Sequence, residues 1–217
     1  MAKINTDGII LDIDGTIWNT TGVIAGAWNS AIEKSGLSAK KVFPEILKKE
    51  FGKPMDIIAL DLWPNLSEGE REILMAACCE CEQIALKENT KDITYSGVVE
   101  TIKKMSAEFD FYIVSNCQSG YIELTLQKNG IEEFIKDSEC YGDTKKYKAE
   151  NLKLIVERNS IKNPAYVGDT QGDADACKEA GVPFIWAAYG FGDVKEWQAK
   201  IEKFSELQNL LCAAARS

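Results

Sequence analysis

The sequence predicts an α/β fold: a Rossmann-like, three-layer core on a parallel sheet, with an all-helical cap inserted into it. Three observations carry the prediction. From Tyr95 onward, short apolar runs alternate with amphipathic helical segments. Between the first apolar run and Tyr95 lies a long stretch with no convincing strand. Acids, a hydroxyl and an amide collect where the predicted strands end, which is where open parallel sheets hold their ligands.

The first strand is read from GIILDIDGTIWNT, which begins at Gly8. Its apolar run ends in Asp12 and Asp14, one residue apart. Burying a lone carboxylate is costly, and two close together repel. Three readings fit the motif alone: a strand end that leaves the core at Gly15, a hydrogen-bonded turn with Asp14 as acceptor, or a cation site. In a strict strand, positions i and i+2 share a face. Both carboxylates would then reach one point while Ile13 turns to the core.

Residues 20–92 read as helices. GVIAGAWNSAIEKSG is amphipathic and closes at Gly36. KVFPEILKKEFG and MDIIALDLW follow. A long helix then opens at Ser67 with the Ser67–Glu70 capping-box pattern. The predicted cap domain is therefore 20–92, and the core is 1–19 with 93–217. Within the core, SGVVETIKKMSAE, GYIELTLQKNG, Lys148 to Asn159 and GDADACKEAG read as helices. FYIVSN, SEC at 138–140, AYVGD and PFIWAAYG read as strands. The terminal LCAAARS is expected to fray.

Composition narrows the function. The chain has 217 residues and a net charge of −9, with 45% hydrophobic and 27% charged residues. An acidic chain is a poor partner for nucleic acid or an anionic membrane. No apolar run reaches the roughly 20 residues of a membrane span, and MAKINTDG has no apolar signal core. A cytoplasmic protein, monomer or homodimer, is expected. The seven cysteines do not form a secreted disulfide pattern. In CCEC, Cys78 and Cys81 join Leu74 and Ala85 on a helical stripe and read as core. The chain has no histidine, which excludes Ser-His-Asp triads and histidine-based zinc chemistry.

The strand ends then converge. Asp12 and Asp14 end the first, Ser115 and Asn116 the second, and Gly168 and Asp169 a later one, with Asp173 four residues on. KKYK precedes a helix between the last two. Solvation alone does not explain this set, and a functional site does.

The set DIDGT (12–16), VSN (114–116), a lysine ahead of a helix near 148, and GDTQGD (168–173) resembles the haloacid dehalogenase superfamily. The resemblance covers almost the whole chain and includes the small helical cap of phosphoglycolate phosphatase-like members. It implies a phosphatase for a small phosphorylated metabolite, with Mg²⁺ as cofactor. By resemblance, Asp12 is the nucleophile and Asp14 the proton-transfer acid and base. Ser115 and Asn116 bind the phosphoryl group, and Lys148 offsets its charge. Asp12, the carbonyl of Asp14, and Asp169 hold the metal, with Asp173 behind them orienting the lysine. Lys145 and Lys146 compete with Lys148, and the proline usual after that lysine is Ala149 here. Thr16, Trp18 and Lys53 are further candidates on the substrate side, with Lys53 suited to a carboxylate or second phosphate. The aspartate at 14 is absent from the superfamily's dehalogenases. Sugar-phosphate mutases and phosphonate-cleaving relatives share the layout but use a cap histidine or a specific cap lysine. A catalytically silent binding protein and a phospho-aspartate receiver domain are the remaining alternatives.

Overall fold

A computed structural model describes residues 3–214. The chain divides into two units, Met1–Asn19 with Thr94–Ser217, and Thr20–Ile93. The first opens with β1 (Ile4–Thr6) and β2 (Gly8–Leu11). All four residues of β2 are buried, as a central strand with both faces covered requires.

The second unit is helical: α1 (Thr21–Ser35), α2 (Pro44–Glu50), α3 (Met55–Leu62) and α4 (Glu68–Glu88). α1 stops at Gly36, whose φ of 67° places it in the left-handed region. α4 begins with the capping box that the sequence predicts, Ser67 and Glu70 each bonding the other's backbone N–H. α1 packs along α4 through Trp28, whose Nε1 donates to the buried Glu82 Oε2 at 2.6 Å. Trp63 lies 6.2 Å from Trp28 between ring centroids and donates its Nε1 to the Lys40 carbonyl at 3.0 Å. Cys78 is fully buried here, and burial with the nearby Glu82 charge pushes its thiol up to about 12. It behaves as a small apolar side chain.

The chain then completes the core with α5 (Val98–Met105), β3 (Asp110–Ser115), α6 (Tyr121–Asn129), β4 (Ile135–Cys140), α7 (Tyr141–Thr144) and α8 (Lys148–Arg158). β5 (Pro164–Gly168), α9 (Gln171–Ala180), β6 (Phe184–Ala187), β7 (Ala199–Ile201), α10 (Leu207–Leu210) and β8 (Leu211–Ala213) follow. Six strands form one parallel sheet in the order β4-β3-β2-β5-β6-β7. On one face Ile10, Tyr112, Val114, Tyr166 and Phe184 meet Leu152 and Ile155 of α8 and Cys177 of α9. Ile9 and Leu11, which alternate with Ile10, are also fully buried, so both faces are covered. Successive chain crossings leave β2 toward β3 on one side and return to β5 on the other. The carboxyl ends of β2, β3 and β5 therefore flank the switch point where such sheets bind ligands.

Several elements differ from the sequence expectation, β1, α7 and α10 among them. The strand predicted at 138–140 starts earlier, at Ile135, and Arg158 of α8 ties it down by bonding Asp137 at 2.8 Å and Glu139 at 2.5 Å. β7 adds an edge strand. The expected fraying of LCAAARS is corrected over Leu211–Ala213, which pairs in parallel with β1 in the register Ile4↔Leu211. The buried Leu211 anchors it, while residues 215–217 lie outside the described residues. Among the described residues no helix is long and apolar enough to cross a membrane.

Trp28→Phe removes a donor from the buried Glu82 while keeping most of the packing. The substitution is expected to destabilise the protein by about 1–3 kcal/mol, read as a lowered denaturant midpoint in urea unfolding followed by circular dichroism.

Candidate active site

The site begins where β2 stops. The strand ends at Leu11, one residue short of the first aspartate, although the Asp12 N–H still donates to the Val167 carbonyl of β5 at 2.9 Å. The chain then curls. Thr16 and Ile17 donate their N–H groups to the Ile13 carbonyl at 3.1 and 2.7 Å, and Gly15 donates to the Trp18 carbonyl at 3.0 Å. Asp14 is thus presented by a turn and not by the face of a strand. Ile13 is fully buried, as expected. Gly15 has φ of 83°, and a Cβ there would collide with the Asp169 carboxylate, so conformation and space both require glycine. Asp14 Oδ1 accepts a hydrogen bond from the Tyr121 hydroxyl at 2.9 Å.

Lys148, the first residue of α8, is 3% exposed. Its Nζ lies 2.9 Å from Asp12 Oδ1 and 2.5 Å from Asp173 Oδ1, over the Tyr166 ring. Tyr166 is held in turn by its hydroxyl, which donates to the Val114 carbonyl at 3.0 Å. Burial alone would lower the Lys148 pKa, but the two carboxylates outweigh it and raise the pKa above its ordinary value. Lys145 and Lys146 are exposed, and Lys145 Nζ sits over the Tyr141 ring. Of the three lysines, Lys148 is the one buried against Asp12.

Asp173 stands in the first turn of α9, where it completes a capping box with Thr170. Its Oδ2 accepts from the N–H groups of Asp169 (3.1 Å) and Thr170 (2.9 Å) and from the Thr170 hydroxyl (2.8 Å). Burial would raise its pKa, but Lys148 and these donors hold it below the ordinary carboxylate range. Asp169, just past β5, is fully buried. Its Oδ2 accepts from the Phe191 N–H at 2.6 Å, while Oδ1 has no hydrogen-bond partner among the described residues. Burial first, then the charges of Asp173 and Asp12, push Asp169 well above its ordinary value. Burial likewise raises Asp12, against the pull of Lys148.

Asp12, Asp169 and Asp173 each bring a carboxylate oxygen within 4.8 Å of the others, the one such cluster of metal-ligating side chains among the described residues. Ionised, the three acids outnumber the single ammonium. Such an imbalance, with a bare buried oxygen on Asp169, suits a divalent cation with oxygen ligands. Both oxygens of Asp173 are already engaged, so Asp12 and Asp169 are the acids with capacity for it.

The other predicted residues fall in several places. Ser115 ends β3, buried, with half-buried Asn116 after it. The Thr16 side-chain hydroxyl is buried without a hydrogen-bond partner among the described residues, while its carbonyl accepts from the Tyr189 hydroxyl at 2.8 Å. Trp18 is 2% exposed and packs edge-on against Tyr121 at 5.9 Å. Lys53 belongs to the helical unit, where its ammonium bonds Glu50 and Asp61, each at 2.8 Å. Sequence reasoning missed Tyr121, Tyr166 and the Gly190–Phe191 backbone. A Cβ at Gly190 would collide with Asp169 and the Gly15 carbonyl. The glycines of AYGFGD were the visible signal.

The model of the haloacid dehalogenase-like hydrolases matches residues 9–187. This chain belongs to that family. No curated protein matches it in sequence. Among solved structures, a predicted phosphoglycolate phosphatase from Haemophilus somnus is similar at 18% identity and a TM-score of 0.82, covering 96% of this chain and 98% of its own. A haloacid dehalogenase-like hydrolase from Streptococcus pneumoniae is 15% identical with a TM-score of 0.80, over 96% and 99% of the two chains. A mutant of CbbY from Rhodobacter sphaeroides, in complex with xylulose-1,5-bisphosphate, is 15% identical with a TM-score of 0.78, over 95% and 100%. These likenesses establish the fold of the family member and leave its chemistry to the residues.

Two outcomes follow for stability. Lys148→Met strands two buried carboxylates and is expected to cost about 3–5 kcal/mol in denaturant unfolding. Asp169 works in the opposite sense. Its folded-state pKa is raised, so its contribution is fully present below the unfolded value and is lost as pH rises through the folded one. Asp169→Asn is therefore expected to raise the metal-free thermal midpoint at neutral pH. The gap to wild type should close as pH falls toward about 4, the ordinary aspartate value.

Proposed function

We propose that the protein is a Mg²⁺-dependent phosphatase that hydrolyses a small phosphomonoester through an aspartyl-phosphate on Asp12. The observation that carries the reading is the buried Asp12 carboxylate, bonded to Lys148 at 2.9 Å, with the Asp14 carboxylate two residues further on. An anionic nucleophile meets an anionic substrate only against repulsion. Two unit charges at about 4 Å repel by about 4 kcal/mol in an intermediate dielectric. Lys148 offsets part of this and keeps the Asp12 carboxylate oriented. Mg²⁺, when held by Asp12, Asp169 and the carbonyl of Asp14, supplies the remaining charge compensation at the phosphoryl oxygens.

Asp12 attacks phosphorus as the ester P–O bond breaks. Asp14 gives its proton to the departing alkoxide, then takes one from the water that cleaves the aspartyl-phosphate. Ser115 and Asn116, at the end of the neighbouring strand, hydrogen-bond the phosphoryl oxygens. Asp173 holds Lys148 in place. Trp18, in the first unit, and Lys53, in the helical unit, are the candidate contributors to substrate choice. A phosphoglycolate-like substrate is the leading choice, supported by the name of the Haemophilus somnus relative and by the cationic Lys53. To meet a substrate carboxylate, Lys53 has to exchange Glu50 or Asp61 for it. The seven unpaired cysteines favour a reducing compartment, the cytoplasm.

A screen of small phosphorylated metabolites with Mg²⁺ tests the reading. Turnover is expected to vanish with EDTA and to fall by on the order of 10⁴-fold or more in Asp12→Asn. Turnover that survives Asp12→Asn would remove the aspartyl-phosphate from the mechanism. No turnover on any phosphoester would favour the silent binding protein.

A further inference from the structure

We infer that Tyr121 is a positioning residue for Asp14, fixing the orientation of the carboxyl group that gives its proton to the leaving group. The inference rests on the phosphatase reading above and adds to it a residue outside the four sequence motifs. Tyr121 is the first residue of α6 and is 2% exposed. Its hydroxyl donates to Asp14 Oδ1 at 2.9 Å. Its ring meets the edge of Trp18 at 5.9 Å. Trp18 in turn closes the turn that carries Asp14, by accepting the Gly15 N–H at 3.0 Å and forming a bridge with Asp14. The Tyr121 ring and the Asp14 backbone are thus held by the same tryptophan.

Behind the ring, the loop that leads into α6 is also tied. Gly142 donates its N–H to the Cys117 carbonyl at 2.9 Å, and the Thr125 hydroxyl accepts the constraint from the helix side by donating to the Tyr121 carbonyl at 2.8 Å. A carboxyl group rotates readily about its last torsion, which is broad and two-fold. A phenol that donates to Oδ1 restrains that rotation and holds the carboxyl plane in one orientation. In the first step the Asp14 proton passes to the ester oxygen as its bond to phosphorus breaks and the Asp12–phosphorus bond forms. In the second, Asp14 recovers a proton from the water whose oxygen bonds phosphorus as the Asp12–phosphorus bond breaks. Positioning of this kind matters in proportion to how much the leaving group needs a proton.

The test compares kcat/KM of wild type and Tyr121→Phe on an alkyl phosphate and on p-nitrophenyl phosphate, whose leaving group departs without protonation. The phenylalanine keeps the ring against Trp18. The expected result is a loss of about 10-fold or more on the alkyl ester and less than about 2-fold on the aryl ester, with an unchanged thermal midpoint. Equal losses on both esters, or none on either, would overturn the inference while leaving the phosphatase reading intact. The double variant Tyr121→Phe with Asp14→Asn provides a check that survives a general loss of folded protein. If Tyr121 acts through Asp14, the double variant hydrolyses the alkyl ester, per folded molecule, no slower than Asp14→Asn alone. A further, multiplicative loss would overturn the inference. A wild-type protein inert on both esters would overturn the phosphatase reading, and this inference with it.

Discussion

The structure of the core depends on one ammonium group shared by two buried carboxylates. Lys148 reaches Asp12 from the start of α8 and Asp173 from the first turn of α9. A cation at a helix N-terminus opposes the helix dipole, and burying it costs several kcal/mol more. Neither cost is tolerable without both acids. The sheet order supplies them: β2 and β5 are neighbours, so Asp12 and the segment that follows β5 arrive side by side. Tyr166 then floors the pair from β5, and its hydroxyl reaches across to β3. Moving any one of these strands would leave charge in the core without a partner.

Part of this was legible in the sequence: the resemblance singled out Lys148 over Lys145 and Lys146, and the spacing of the helix supports it. Lys148 is followed by Leu152 and Ile155, four and seven residues on, both fully buried. At helical spacing these share a face, so Lys148 faces inward while Lys145 and Lys146 precede the helix. Asp173 was readable as an acid in a first helical turn, and the structure adds that its two oxygens serve the cap and the lysine separately. The alternation of short buried strands and helices was equally readable, because parallel strands covered on both faces are apolar throughout.

What was not legible has a common physical character: it depends on partners distant in sequence or on the backbone itself. β1 and β8 are three residues each and pair across nearly the whole chain, too short for periodicity to register. The donor to Asp169 is the Phe191 N–H, and a backbone amide leaves no residue-type signal. Asp14 was left open between a strand face and a hydrogen-bonded turn, and the hydrogen bonds converging on the Ile13 carbonyl decide for the turn. The pairing of Lys53 with both Glu50 and Asp61 was hidden for a similar reason, since Lys53 lies in the loop between α2 and α3 and Asp61 lies eight residues on, within α3.

The chain meets the problem of a buried carboxylate in three ways, and the differences sort structure from chemistry. Glu82, in the helical unit, takes a neutral donor from Trp28, a solution that binds two helices. Asp173 takes a cation and a full set of donors, and its pKa falls below the ordinary range. Among the described residues Asp169 takes a single backbone N–H and keeps its other oxygen bare, although it is as deeply buried as the others. A fold selected for stability alone would gain by replacing that acid with a neutral side chain, because a buried polar atom without a partner costs more than the hydrogen bond it lacks. The backbone around Asp169 is instead shaped to accommodate it, with Gly15 and Gly190 both lacking the Cβ that would displace its carboxylate. Two positions given to glycine beside an acid with an oxygen bare among the described residues support the metal-holding role proposed for Asp169.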